Sequence, residues 1–295
     1  MFIHWGPVSL KGTEIGWSRG AQVPNEEYDQ LFKQFNPTLF DADEWMQLAK
    51  DAGMKYVVPT AKHHDGFCIW PTKTTDYNIM NSPFKRDIMG ELAGASRRRG
   101  LAFCSYFSIL DWWHPQYGTG SPGGQGKKPQ TDMKAFMEYS KAQLGELIKN
   151  YKLKMVWFDG QWEGPYTAEM AADLEKFSRG LSPKIILNNR VGKVRLDGDY
   201  DTPEQQVGSF QRDRPWETCM TLCTQWAWKP NDKLKSFDEV IKILVQTVTG
   251  DGNLLLNVGP TPEGTIEPRQ AERLRELGSW LKKHGESIYK TRGGP

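Results

Sequence analysis

The sequence has little cysteine, almost no net charge and no long apolar run. Four cysteines among 295 residues are too few for a disulfide framework, so we expect all four to be buried, reduced thiols. No stretch approaches the run of about 18 apolar residues that a membrane-spanning helix needs. Lysine and arginine number 38 against 36 aspartate and glutamate residues, which argues against a basic nucleic-acid interface. We therefore expect neither membrane insertion nor a nucleic-acid partner.

Histidine and phosphate-binding motifs are also scarce. The chain has five histidines, and no glycine-rich phosphate loop opens any predicted helix. Aromatic residues are abundant, with 12 tryptophans, 10 tyrosines and 13 phenylalanines. Such residues either fill a large core or stack against flat ligand faces such as those of sugars, and composition alone favours the core.

Short apolar strands alternate with amphipathic helices along the chain. The predicted helices are Glu44–Ala52, Ile88–Arg99, Asp132–Tyr151, Ala168–Leu181, Phe237–Thr249 and Arg269–His284. The predicted strands are Met1–His4, Tyr56–Ala61, Ala102–Ser108, Met155–Asp159, Ile185–Asn189 and Asn253–Val258, with weaker ones at Thr202–Gln205 and Thr218–Leu222. About eight strands in this alternation favour an α/β fold, a (β/α)8-like barrel in one domain over residues 1–295. A doubly wound sheet is the alternative, and Gly118–Gln130 is predicted as a surface loop.

Polar and aromatic residues follow the predicted strands, at the end where such a barrel carries its active site. These residues are His4 and Trp5, Lys62 to Asp65, Tyr106, Trp157 and Asp159, Asn188 to Arg190, and Glu204. Asp159 comes directly after an apolar strand and before Gly160, which lets the chain turn away. We interpret Asp159 as a partly desolvated carboxylate at the barrel mouth, able to act as a nucleophile or a base.

Hydrolysis of a glycosidic bond would need a second carboxylate. Glu204 in T-P-E-Q and Glu217 in P-W-E-T-C both lie near predicted strand ends, just after a proline. We predict that at least one of them belongs to the site, and the residues by themselves leave the choice open.

The K-H-H-D segment raises the question of a metal site formed by His63, His64 and Asp65. Adjacent residues of a strand point to opposite faces, so two successive histidines rarely bind one ion. Neutral imidazoles that bond to sugar hydroxyls suit the same positions. We therefore favour a site without metal or cofactor.

The chain resembles the α-L-fucosidases of glycoside hydrolase family 29 from Met1 to about Thr291. The motifs that carry the resemblance are F-I-H-W-G, K-H-H-D-G-F-C-I-W, F-K-R-D-I, V-W-F-D-G, P-W-E-T-C and N-L-L-L-N-V-G-P-T-P-E-G. The resemblance implies a (β/α)8-like catalytic domain, a retaining mechanism without metal, and a fucosylated oligosaccharide or glycoconjugate as substrate. It also implies that Asp159 is the nucleophile.

The resemblance further implies a set of fucose-binding residues. The histidine of H-W-G, the two of K-H-H-D-G and the tyrosine after the third strand correspond to His4, His63, His64 and Tyr106. Additional sugar contacts are expected from Trp5, Glu14, Trp17, Trp157 and Arg190.

One branch of the family, selective for α-1,3/1,4-linked fucose on branched Lewis-type glycans, resembles this chain in G-T-E-I-G-W-S-R and T-P-E-Q. The glutamate of T-P-E is the acid/base in that branch. The resemblance therefore implies that Glu204 has this role, kept protonated by a poorly solvated pocket, with Glu217 as a substrate-pocket residue or the alternative acid/base. Water or another sugar hydroxyl would then resolve a covalent fucosyl-enzyme.

Both ends of the chain depart from the family's pattern. We expect that the first strand is truncated in this chain and that the β-sandwich that follows the barrel in many members is absent from it. The first residues lack a signal-peptide pattern, and neither compartment nor oligomeric state is predicted. A retaining glycosidase for another sugar and a catalytically inactive fucose-binding domain are the alternative interpretations.

Overall fold

The computed structural model describes residues 1–120, 128 and 130–294, so most of the predicted loop Gly118–Gln130 lies outside the described residues. The strands are β1 (Phe2–Ile3), β2 (Tyr56–Lys62), β3 (Ala102–Phe103), β4 (Ser105–Ser108), β5 (Met155–Asp159), β6 (Ile186–Leu187), β7 (Glu217–Thr221) and β8 (Asn253–Val258). The α-helices are α1 (Asn25–Tyr28), α2 (Ala42–Asp51), α3 (Ile88–Arg98), α4 (Met133–Tyr151), α5 (Ala168–Leu181), α6 (Phe237–Thr249) and α7 (Pro268–His284).

These strands form one curled parallel sheet in the order β6–β5–β4–β2–β1–β8–β7, with β3 also paired to β2. Phe2 of β1 lies opposite both Val58 and Asn257, so the first strand sits between β2 and the last strand. Strands that follow one another along the chain are therefore neighbours in the sheet, as in a (β/α)8 fold. A doubly wound sheet would instead reverse its strand order at a switch point.

Regular strands do not close the barrel within the described residues. The gap between β6 and β7 is crossed by isolated bridges through Tyr200, Asp201 and Glu204. The prediction of a strand at Thr202–Gln205 is wrong, because proline at 203 has no N–H and Gln205 has a φ of +53°. The fold is a curled, (β/α)8-like half-barrel.

Two predicted strands are interrupted or shortened. The segment Ala102–Ser108 is divided at Cys104 into β3 and β4. The strand β6 stops early because the chain turns into a short 3-10 helix at Asn189–Val191. That turn brings Arg190 to the carboxyl end of the sheet.

Side-chain hydrogen bonds cap the amino ends of several helices, although α7 has none. Asp132 accepts a hydrogen bond from the backbone N–H of Ala135 at 3.1 Å, which confirms its predicted role at the start of α4. Ser236 and Glu239 form a reciprocal capping box at the start of α6. None of the described helices has the length and apolarity needed to cross a membrane.

Hydrophobic clusters flank the sheet on both sides. The larger one packs helix residues such as Trp45 and Leu144 against the outward faces of strands such as β5. The interior cluster contains Phe2, Val58, Cys104, Tyr106, Met155, Trp157, Tyr200, Cys219 and Leu255. All four cysteines are buried and unpaired, as predicted. The interior cluster fills the half-barrel beneath the strand ends.

Candidate active site

The carboxyl ends of the strands converge on a small pocket of about 100 Å³. Asp159 ends β5, Tyr106 lies on β4, His4 follows β1, and His63 and His64 follow β2. The pocket is lined by Phe2, His4, Trp17, His63, His64, Tyr106, Trp157, Asp159, Trp162, Glu204, Cys219 and Trp226. Most of the site residues predicted from the sequence belong to this set.

Asp159 is almost buried, and both of its carboxylate oxygens are held. The Tyr106 hydroxyl donates to Oδ2 at 2.9 Å, and Arg190 Nη1 donates to Oδ1 at 2.8 Å. Gly160 has a φ of +90°, and a Cβ at this position would clash with Leu110. Only glycine therefore allows the sharp turn that leaves Asp159 at the mouth of the barrel.

Arg190 connects Asp159 to the second carboxylate. Its Nη2 donates to Glu204 Oε2 at 2.8 Å, and its Nε donates to the Thr202 hydroxyl at 3.0 Å. The guanidinium carbon lies 4.7 Å from the centre of the Trp157 ring, a cation–π contact. Burial opposes the charge, but Asp159 and Glu204 outweigh it, and the pKa of Arg190 is raised. One cation thus holds an oxygen of each carboxylate.

His4 is a neutral imidazole whose proton position follows from its neighbours. Its Nδ1 lies 2.6 Å from Asn257 Oδ1, and Asn257 Nδ2 donates to the Trp226 carbonyl at 2.8 Å. This network assigns the proton to Nδ1 and leaves Nε2 as an acceptor. Burial lowers the pKa of His4 to about 4, so the ring stays uncharged at neutral pH.

His64 is oriented in the same way. Its Nδ1 lies 2.6 Å from Ser108 Oγ, whose hydroxyl donates to the Leu110 carbonyl at 2.6 Å. The proton is again assigned to Nδ1, and Nε2 lies 3.5 Å from Asp159 Oδ2. Burial and the nearby His4 and Arg190 hold the pKa of His64 well below its usual value. His64 Nε2 and Asp159 Oδ2 are thus two neighbouring acceptors, and a ligand hydroxyl placed between them can donate a hydrogen bond.

The argument that His63 and His64 point to opposite faces is wrong. The strand β2 ends at Lys62, so the two histidines lie in the following turn and their ring centres are 4.2 Å apart. Asp65 accepts a hydrogen bond from the Tyr28 hydroxyl at 2.6 Å. Within the described part of the chain, no group of three or more His, Cys, Asp or Glu side chains is placed to hold a metal ion.

Glu204 stands at the rim of the pocket rather than inside it. Its side chain is 40% exposed, compared with 11% for the side chain of Asp159. The expectation of a poorly solvated environment for this carboxyl is therefore wrong. The open gap between β6 and β7 is the reason, because Glu204 lies on the irregular segment that crosses it.

Trp5, expected to contact the sugar, is part of the core. It follows His4 by one residue, so its side chain points outward where His4 points inward. The indole packs against Phe40 and Trp45, and its N–H donates to the Thr261 carbonyl at 2.9 Å.

Glu14, also expected to contact the sugar, braces the loops around the pocket. Its carboxylate accepts the backbone N–H groups of Trp226 at 2.8 Å and Ala227 at 3.0 Å. Gly16, with a φ of +69°, packs so closely that a Cβ would lie 2.8 Å from His63 Nδ1. These contacts bring Trp17 and Trp226 to the pocket.

Glu217 lies away from the pocket, at the amino end of β7, and is only 4% exposed. It accepts hydrogen bonds from the Trp157 indole at 2.9 Å and from the Tyr56 hydroxyl. The structure therefore does not bring Glu217 to the substrate pocket, and it brings Glu204 there instead. The predicted strand Thr218–Leu222 begins directly after Glu217, which agrees with this position at the amino end of the barrel.

Four residues that line the pocket were not predicted from the sequence: Phe2, Trp162, Cys219 and Trp226. Trp162 is 47% exposed and stacks in parallel with Trp17, their ring centres 6.3 Å apart. Its position three residues after Asp159 was an available signal. Trp226 reaches the pocket through Glu14, more than 200 residues away along the chain, and no local motif marks it.

A pocket of this kind has a recognisable chemistry. Two carboxylates held by one arginine, neutral hydrogen-bonding imidazoles and an aromatic rim lie at the carboxyl end of a (β/α)8-like sheet. Paired carboxylates in such a setting define a glycoside hydrolase.

Comparison with known proteins identifies which glycoside hydrolase family this is. The family model "Alpha-L-fucosidase" matches residues 1–286. The tissue α-L-fucosidase of Mus musculus is 33% identical over 99% of this chain and 70% of its own length. The chain belongs to the α-L-fucosidase family and is an α-L-fucosidase.

Solved structures agree with this assignment. α-L-Fucosidase isoenzyme 1 from Paenibacillus thiaminolyticus has a TM-score of 0.93 and 34% identity, covering 100% of this chain and 75% of the other. An α-L-fucosidase from Bacteroides thetaiotaomicron, solved as a trapped covalent intermediate with 2-fluoro-fucosyl fluoride in a Glu-to-Gln mutant, has a TM-score of 0.90 and 33% identity over 99% of this chain and 74% of the other.

Proposed function

We propose that this α-L-fucosidase acts from the non-reducing end by a retaining mechanism, with Asp159 as nucleophile and Glu204 as acid/base. The observation that carries the proposal is the Arg190 guanidinium, which binds one oxygen of Asp159 and one of Glu204 at 2.8 Å each. Such proximity is compatible with the roughly 5 Å carboxyl separation of retaining glycosidases. The trapped covalent intermediate of the Bacteroides relative supports the same mechanism.

In the first step Asp159 attacks the anomeric carbon and forms a fucosyl ester while the bond to the leaving oxygen breaks. Glu204 gives its proton to that oxygen. A bound sugar would cover the pocket and remove water from around Glu204, whose side chain is 40% exposed. In the second step Glu204 takes a proton from water, or from a sugar hydroxyl in transfucosylation, and the ester bond is exchanged for the new C–O bond.

The neutral side chains around Asp159 are suited to binding the hydroxyls of fucose. The Nε2 atoms of His4 and His64 can accept from sugar hydroxyls, and His63 and Tyr106 complete the wall beside them. Trp17 offers an apolar face to the ring. The Trp157 indole is 1% exposed and packs against Tyr106 and Arg190, so it supports these two residues beside the pocket. Trp5, Glu14 and Glu217 do not line the pocket, so they are not among the proposed contacts.

We propose in addition a preference for α-1,3/1,4-linked fucose on branched glycans. The motifs G-T-E-I-G-W-S-R and T-P-E-Q support it, and they supply Trp17 and Glu204 at the mouth of the pocket. The half-exposed pair Trp17 and Trp162 provides apolar surface beyond the pocket, where the sugar that carries fucose would lie.

Azide rescue tests the two carboxylate roles. Asp159→Ala should lower kcat by about 10³-fold or more, and azide should restore turnover with the inverted β-fucosyl azide as product. Glu204→Ala should still form the intermediate from an activated aryl fucoside, and azide should then release the α-fucosyl azide. Glu217→Ala is the matched control, because it removes a carboxylate of the same barrel outside the pocket, and azide should not rescue it. Rescue of Glu217→Ala with retention, and none of Glu204→Ala, would exchange the two assignments.

A further inference from the structure

Trp157 links the donors that hold Asp159. The Tyr106 ring stacks on the Trp157 indole with centres 5.7 Å apart and planes 18° apart. The Arg190 guanidinium lies over the same indole at 4.7 Å. Both side chains hydrogen-bond Asp159, so the position of its carboxylate depends on where the indole lies.

The indole is itself anchored from below. Trp157 Nε1 donates to Glu217 Oε1 at 2.9 Å, and this is its one hydrogen bond within the described residues. A buried indole N–H needs an acceptor, and without one the ring would tilt or the N–H would remain unsatisfied. The other oxygen of Glu217 is held by the Tyr56 hydroxyl on β2, so the carboxylate is fixed between two strands.

We propose that Glu217 is a positioning residue for catalysis, acting through the Trp157 indole on the two donors that orient Asp159. It does not contact the substrate. This inference rests on the proposed role of Asp159 as nucleophile. It explains why a carboxylate is buried at the amino end of a barrel whose chemistry takes place at the carboxyl end.

The position of Glu217 predicts which kinetic constant should change when it is replaced. Glu217 contacts neither the histidines nor the tryptophans at the mouth of the pocket, so sugar binding should change little when it is replaced. A misplaced Asp159 would instead slow attack on the anomeric carbon, because catalysis is sensitive to small displacements of the reacting atoms. The expected signature is a lower kcat with nearly constant KM.

A double-mutant cycle on an aryl α-L-fucoside tests the proposal. Glu217→Leu should lower kcat about 10- to 100-fold with KM within about threefold, and Glu217→Gln, which keeps an acceptor oxygen, should restore kcat to within about threefold of wild type. Trp157→Phe keeps an aromatic face but removes the N–H. In that background Glu217→Leu should cost less than about threefold further, because the link is already cut.

Tyr151→Phe is the control, because it removes a buried tyrosine hydroxyl that donates to a carboxylate outside the pocket, that of Asp87, and its kcat should stay within about twofold of wild type. Glu217→Met replaces Glu217→Leu in the cycle if the latter does not fold. Multiplicative losses of kcat in the double mutant would overturn the inference. The proposed function fails separately, if Asp159→Ala keeps its activity.

Discussion

Replacing Arg190 by lysine should cost most of the activity while keeping a positive charge in the pocket. The planar guanidinium donates to Asp159 and Glu204 from two different nitrogens and to Thr202 from a third. A lysine ammonium is a single point on a flexible stem and cannot reach both carboxylates in that geometry.

The size of the loss follows from the contacts. One charge-assisted hydrogen bond to a nearly buried carboxylate contributes about 1.5–3 kcal/mol, which corresponds to a fall in kcat/KM of about 10- to 150-fold. Arg190→Met removes both links and leaves Asp159 with the Tyr106 hydroxyl as its remaining hydrogen-bond donor within the described residues, so it should lose more.

The assay is kcat/KM on an aryl α-L-fucoside, with thermal unfolding to show that each variant is folded. Arg179→Lys is the matched control, because Arg179 also bridges two carboxylates, those of Glu175 and Asp199, but lies on the outer surface. Its kcat/KM should stay within about twofold of wild type. An Arg190→Lys variant with an unchanged kcat/KM would refute the claim that one cation organises both carboxylates.

Two further predictions concern linkage and pH. Lewis trisaccharides with α-1,3/1,4-linked fucose should release fucose faster than α-1,2-linked glycans in a free-fucose assay, and cleavage confined to the α-1,2 linkage would contradict the proposed preference. Burial raises the pKa of Glu217 from its ordinary value of 4.5 to about 7. Between these two pH values the folded protein holds a proton that the unfolded chain has released. The free energy of unfolding should therefore fall as the pH rises from about 4.5 to about 7. The glutamine of Glu217→Gln cannot titrate. In thermal melts between pH 5 and pH 8, the stability of this variant relative to wild type should therefore improve by up to roughly 3 kcal/mol as the pH rises. Parallel stability curves for the two proteins would show that the Glu217 carboxyl does not titrate as expected.

One group beside Glu217 also titrates in this pH range. Burial lowers the pKa of the Met1 amino group to about 5, and the charge of Glu217 partly offsets that shift. Burial raises the pKa values of the phenols of Tyr56 and Tyr200 and the thiols of Cys104 and Cys219, which moves them further from this range. The Met1 amino group is present in both proteins, so the difference between the two curves reports Glu217 together with its interaction with Met1.

The sequence predicts the elements and the site where the signals are local. The strand V-W-F-D followed by glycine predicts both β5 and the emergence of Asp159, because apolar content and a turn residue act over a few neighbours. Alternation likewise could have separated His4 from Trp5, since adjacent residues of a strand face opposite sides.

What the sequence does not reveal depends on long-range contacts. The predicted strand Tyr56–Ala61 already ends before His63 and His64, so the alternation rule did not apply to them. The turn that follows β2 brings both rings to the same side. Glu217 directly precedes the predicted strand Thr218–Leu222, so its place at the amino end of β7 could have been read from the sequence. Trp226 reaches the pocket through backbone bonds to a carboxylate far away in the sequence, which no local pattern encodes.

In the proposed mechanism, the pairing of Arg190 with the carboxylates of Asp159 and Glu204 would also change through the catalytic cycle. Arg190 is shared between Asp159 and Glu204 in the structure. In the proposed mechanism Asp159 would lose its charge once it is esterified, and Glu204 would be the remaining anionic partner of the guanidinium among the described residues. Attraction to that single partner would then draw the ionised Glu204 inward at the step where it must take a proton from water. By changing the carboxylate that it binds, Arg190 would in this way couple the two steps of the proposed reaction.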